Sequence, residues 1–148
     1  MSTQAESSAI GRVIGWTAIV ATVLVTPWAT FDPINVPKLA VIALGGLITL
    51  GALLFNAKAL FARKHRTVQV LISLFVLDLT IVLFFAGTNP YQEFFGTYGR
   101  STGFVAYIAL ASLMLGAIVV ATSNFISTFA RYLLIVGGLS IGYGLLQV

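Results

Sequence analysis

Apolar residues come in five long runs, and the short segments between them collect most of the charge. The runs cover approximately Val13–Trp28, Pro37–Phe55, Val68–Ala86, Gly103–Ala121 and Tyr132–Val148. Each approaches the roughly 20 residues a helix needs to cross about 30 Å of hydrocarbon. Period-two alternation is absent, which argues against a transmembrane barrel. A helix satisfies its own backbone N–H and C=O groups in lipid. The pattern therefore predicts an all-α, polytopic membrane protein: one domain over residues 1–148, built as a bundle of about five transmembrane helices. No internal repeat, low-complexity tract or linker divides it.

The connections fix a direction. "TFDPINVPK" (Thr30 to Lys38) places Pro37 in the first turn of a helix, where a missing N–H costs nothing. "NAKALFARKHRT" (Asn56 to Thr67) is basic, "GTNPYQEFFGTYGRST" (Gly87 to Thr102) is the longest, and "TSNFISTFAR" (Thr122 to Arg131) is short and polar. With the N-terminus cytoplasmic, Arg12, Lys58, Arg63, Lys64, Arg66 and Arg131 fall inside, and only Lys38 and Arg100 fall outside. That bias satisfies the positive-inside rule and turns the longest loop outward. The first run lacks a convincing small-residue cleavage site and is read as an uncleaved anchor.

Composition sharpens this picture. Charged residues make up 8% of the chain and hydrophobic ones 59%, with a mean hydropathy of +1.03. A soluble domain carries about 25% charged residues. The net charge of +4 is too small and too scattered for a nucleic-acid partner. There is no cysteine, hence no thiol chemistry, and a single histidine, His65, excludes a multi-histidine metal site. Neither a metal nor a cofactor is expected.

Three features carry candidate chemistry. Asp78 sits near the middle of the third run, where an acid is costly and marks either function or polar glue between helices. Gly138 and Gly142 in the fifth run have the G-x-x-x-G spacing that lets helix backbones approach, within this chain or against another. The stretch "FFGTYGRSTGF" (Phe94 to Phe104) sets Arg100 among glycines and aromatics. Its aromatics suit an interfacial belt or a short helix in the headgroup plane. A guanidinium binds phosphate oxygens bidentately and keeps its charge. Arg100 is thus either a ligand for an anionic lipid-linked group, with Lys38, Tyr98 and Gly99 as helpers, or a snorkelling anchor at a helix end.

The run "FFGTYGRSTGFVAYIALA" (Phe94 to Ala111) resembles a segment of the O-antigen ligase family, bacterial membrane proteins that include O-antigen ligases and polymerases and protein O-oligosaccharyltransferases. The aromatic–Gly–x–Tyr–x–Arg–x–x–Gly pattern is carried by Phe95, Gly96, Tyr98, Arg100 and Gly103. "FDPINVPKLAVIALGG" (Phe31 to Gly46) is similar to the family's Asp-Pro…Pro-Lys lead-in to the second span, and "IGYGLLQV" (Ile141 to Val148) to its Gly-Leu-Leu-Gln helix end. The resemblance implies a multi-pass bacterial inner-membrane protein. It implies transfer or polymerisation of a glycan from undecaprenyl pyrophosphate on the periplasmic side, in lipopolysaccharide or related polysaccharide biosynthesis. Arginines would stabilise the pyrophosphate leaving group, with no metal or nucleotide.

The departure from the family is as informative. The family's longer chains carry their catalytic loop in a later half, so the resemblance covers the N-terminal membrane part and the chain is expected to be a fragment of a larger protein. The long loop here offers no histidine and one carboxylate, Glu93, leaving a general base poorly supplied and enzyme status open. The alternative is a small structural or accessory subunit of a larger membrane complex. A transporter part using Asp78 for proton coupling ranks behind both.

Overall fold

The computed structural model describes residues 2–24, 34–55, 57–62, 65–85, 87, 89–97, 102–121 and 123–146. These form seven helices: α1 (Ser2–Val23), α2 (Asn35–Phe55), α3 (Ala57–Leu60), α4 (Arg66–Phe85), α5 (Pro90–Phe95), α6 (Phe104–Val120) and α7 (Ser123–Leu146). No strand occurs among the described residues. The fold is all-α, as the apolar runs predict.

Five of these helices coincide with the five runs, and two of them, α1 and α7, begin well before their runs. α1 starts at Ser2, because Gln4, Ala5, Glu6, Ala9 and Arg12 are good helix formers that continue the helix ahead of the apolar stretch. α7 starts at Ser123, so the polar connection expected over Thr122–Arg131 is largely helical instead. Two forces explain that correction. Phe125 and Phe129 pack on the core, and Ser127 Oγ donates to the Asn124 carbonyl at 3.1 Å, internalising its polar group. The expected end of the first run at Pro27–Trp28 lies outside the described residues.

By length and composition, three described helical segments suffice to cross a membrane: Asn35–Phe55, Arg66–Phe85 and Asn124–Gly142. Two shorter apolar segments, Ala9–Val23 and Phe104–Val120, accompany them. The first three are long and apolar enough for a membrane protein.

The core is a three-helix unit of α1, α2 and α6, and small residues let the axes close. A Cβ added to Gly45 would run into the Thr17 side chain of α1. One added to Gly46 would come within 2.7–2.8 Å of the Ala109 backbone and Cβ on α6. One added to Gly116 would meet Thr49 Cγ2 and lie 3.1 Å from Ile14 Cδ1. Ile10, Ile14, Leu53 and Val120 close one end of this seam. The pairings order the helices: α1 meets α2 near Thr17 and Gly45, then near Ile10 and Leu53, so the two run antiparallel. α2 meets α6 at Gly46–Ala109 and again at Thr49–Gly116, so these two run parallel.

The remaining long helices are peripheral. α4 buries only Ile72 among its described residues, and Leu74, Leu77, Ile81 and Val82 are exposed. It meets α6 through an edge-on Phe75–Tyr107 contact at 6.2 Å. α7 packs on α1 through its first turns, while Leu133, Leu134, Ile141 and Leu145 stay exposed.

Candidate functional site

The elements flanking the Arg100 stretch form a clasp. Asn89 caps α5 by accepting the Tyr91 N–H at 3.0 Å, and Pro90 occupies the first turn. α5 is thus the short helix that was one reading of these aromatics. It ends at Gly96, whose φ of 88° is a left-handed conformation that favours glycine. Gly103 then caps α6. It lies so close to the Gly96 N–H and the Phe94 carbonyl that any side chain there would collide with backbone. Phe94 and Phe104 meet edge-on at 5.9 Å, and the rings of Tyr91 and Phe95 meet at a tilt of 41° with centroids 5.1 Å apart. Two glycines of the aromatic–glycine pattern therefore have a packing role: they bring the ends of the intervening segment together.

Tyr98, Gly99 and Arg100 lie outside the described residues. Lys38 is described, half-buried in the first turns of α2. It precedes Gly46 by about two turns, much as Phe104 precedes its partner Ala109 by more than one. The parallel packing of α2 and α6 therefore puts Lys38 at the end of the bundle where α6 begins. The basic connection, with Lys58, His65 and Arg66, follows Leu53 at the opposite end. His65 is held there by its N–H donating to the Ala62 carbonyl at 2.9 Å.

Asp78 is exposed on α4. Its neighbour Thr80 donates to the Val76 carbonyl at 2.7 Å rather than to the acid. The hydrogen bond to a neighbouring helix expected under the polar-glue reading is not made among the described residues. Gly138 and Gly142 also face outward, and an added Cβ at either would meet nothing within 4 Å. Their spacing does not serve a contact among the described residues of this chain.

The contact that small residues do serve, at Gly45, Gly46, Thr49 and Gly116, was not singled out from sequence. Its signal was present in the adjacent glycines of "ALGGLIT" with Thr49 one turn on. Other hydroxyls in the bundle bond back to the preceding turn, as Thr22 does to Ala18 at 2.7 Å and Ser112 to Ile108 at 2.8 Å. Thr49 Oγ1 has no hydrogen-bond partner among the described residues, although Thr49 is 1% exposed. Its methyl group instead packs on Gly116.

Among the described residues no group of three or more His, Cys, Asp or Glu is placed to hold a metal ion. The groups described at the end of the bundle where α6 begins are a cation at a helix start, Lys38, aromatic side chains and backbone N–H groups. Set against protein-family models, curated proteins and solved structures, the chain has no match.

Proposed function

We propose that the chain is a bundle of five membrane spans, with its N-terminus cytoplasmic, in the inner membrane of a bacterium. We further propose that it forms the N-terminal membrane region of an O-antigen ligase-like transferase or polymerase, which moves glycan from undecaprenyl pyrophosphate on the periplasmic side. On this reading Arg100, helped by Lys38, Tyr98 and Gly99, holds the anionic lipid-linked group. The observation that carries the proposal is the Phe94–Phe104 clasp, which begins α6 at the end away from the basic connection. That separation is what an outward anion site and an inward positive bias require. Outward-facing α4 and α7 supply surface for the further helices of a larger transferase.

The absence of native cysteine makes the test direct. Single cysteines at Thr97 and at His65 are expected to label from opposite sides of an oriented membrane, with Thr97 periplasmic. In the protein that carries this region, Arg100→Ala is expected to weaken binding of undecaprenyl-pyrophosphate glycan at least tenfold. Arg100→Lys should keep part of it, since an ammonium retains charge without the planar fork. Cytoplasmic labelling of Thr97, or unchanged binding in both variants, overturns the proposal.

A second reading, an accessory subunit without catalysis, draws on the open face of Asp78, Gly138 and Gly142. An acid and two glycines turned outward suit a partner helix bearing a polar donor. Stoichiometric co-purification with another membrane protein, lost on Asp78→Leu, would favour it.

A further inference from the structure

We propose that α1 carries a site for an anionic diacyl phospholipid, with the headgroup phosphate on Arg12 and one acyl chain in each of two grooves beside it. The proposal rests on the membrane placement given above and not on glycan transfer.

Two adjoining grooves run along α1. The first, about 480 Å³, lies between α1 and α7. The second, about 580 Å³, lies between α1 and α2. Arg12 and Trp16 line both, one turn apart, so they form the ridge between them. Both side chains are exposed, Trp16 at 65%. A forked molecule with one charged head and two apolar arms matches a shared cation flanked by two apolar channels.

Each groove has the chemistry of an acyl slot. In the first, Gly15 opens the floor down to the α1 backbone, where an added Cβ would meet nothing within 4 Å, while Gly11 lets the Phe125 ring close on α1. The wall is the stacked pair Phe125–Phe129, with ring centroids 5.6 Å apart and planes at 22°. Asn124 and Thr128, one turn apart on α7, add hydrogen-bonding groups near the level of Arg12. The second groove is faced by Val41, Leu44 and Ile48 of α2. Both extend from Arg12 toward Ile19 and Val20, a rise of about 10–12 Å along α1. That is the direction acyl chains take when the headgroup stays at the membrane rim.

Charge selects the occupant. Arginine keeps its charge, and its guanidinium grips phosphate oxygens with two parallel hydrogen bonds. Among the described residues no carboxylate lines either groove. Asp78 and Glu93, the acids whose side chains are described, belong to α4 and α5. An apolar partner helix would cover Arg12 without neutralising it, whereas an anionic lipid supplies the countercharge and fills both channels.

Trp16 makes the site measurable. The chain has two tryptophans, so Trp28→Phe leaves Trp16 as the one tryptophan, excited selectively over the tyrosines. That protein, reconstituted in phosphatidylcholine vesicles, is titrated with brominated phosphatidylglycerol or brominated phosphatidylcholine. Trp16 is expected to be quenched at a roughly fivefold lower mole fraction of the anionic lipid, the scale of one arginine at an anionic surface. Arg12→Gln should remove the preference. Gly15→Leu, whose side chain enters open space, should reduce quenching by the anionic lipid while helical circular dichroism stays unchanged. Equal quenching by both lipids, or a preference that survives Arg12→Gln, overturns the lipid site and leaves the membrane reading intact. No quenching by either lipid overturns the membrane placement itself.

Discussion

Glycines at helical spacing occur in two regions of this molecule with opposite surroundings. Gly45, Gly46 and Gly116 are pressed against neighbours across the α1–α2–α6 seam, where a Cβ would strike Thr17, Ala109 or Thr49. Gly138 and Gly142 on α7 meet nothing within 4 Å. In sequence the second pair is the more conspicuous, with its G-x-x-x-G register. The contrast teaches that small-residue spacing marks a surface two backbones can share, without naming which backbones share it. The seam is occupied by this chain. The α7 face is left for lipid or another helix.

The comparison breaks most sharply at Gly46. The atoms a side chain would meet there are the Cα, Cβ and carbonyl oxygen of Ala109, and backbone cannot rotate away. Gly46→Leu is therefore expected to cost about 3 kcal/mol or more, at or above the usual overpacking range. Gly51 lies on the same helix with nothing within 4 Å, so Gly51→Leu is its control and should leave stability unchanged or raise it by less than about 1 kcal/mol. Unfolding in mild detergent, followed by helical circular dichroism, reads both. Equal stability of the two variants would mean that α2 and α6 do not touch as described.

Much of this architecture was legible in the sequence, and the physics explains why the rest was not. The five helices were readable because hydrophobicity integrates over 20 residues, so no single residue decides it. The start of α7 was misread because Ser123, Asn124, Ser127 and Thr128 lower the hydropathy of a segment whose phenylalanines still hold it on α1. The seam was hard to see because a glycine inside an apolar run looks the same whether its neighbour is a helix or lipid. Arg12 was readable as an orientation charge, but its two flanking grooves depend on where α2 and α7 pack. Of the candidate anion site, the pattern marked Gly96 and Gly103, and their contact is structural. Tyr98, Gly99 and Arg100 lie outside the described residues, so the role proposed for them rests on chemistry and resemblance alone.

A smaller effect sharpens the seam at Gly116. The nearest atom to an added Cβ there is Thr49 Cγ2, a side-chain methyl rather than backbone. Gly116→Ala should cost about 1–2 kcal/mol from overpacking. Thr49→Ala removes the colliding methyl and the orphan hydroxyl together. Alone it leaves a small cavity; combined with Gly116→Ala, the new methyl fills that space. The double variant is therefore expected to be more stable than the sum of the single losses by about 1 kcal/mol, a coupling that residues in contact show. Strict additivity in the same unfolding measurement would place Thr49 and Gly116 apart.

The smallest effect lies on the open face, and its sign carries the information. In the isolated chain, Gly138→Ala with Gly142→Ala should leave stability unchanged or raise it by less than about 1 kcal/mol per site, because alanine is the better helix former and the methyls enter open space. If the α7 face serves another helix, the same methyls hold the two backbones apart and weaken association. Chemical crosslinking through a cysteine at Ile141, an exposed position beside Gly142, follows that association in native membranes. Stability kept while crosslinking to a partner falls identifies the face as an interface. A loss of stability in the isolated chain would instead mean that α7 closes on its own bundle, and the contrast between the two glycine sets would collapse.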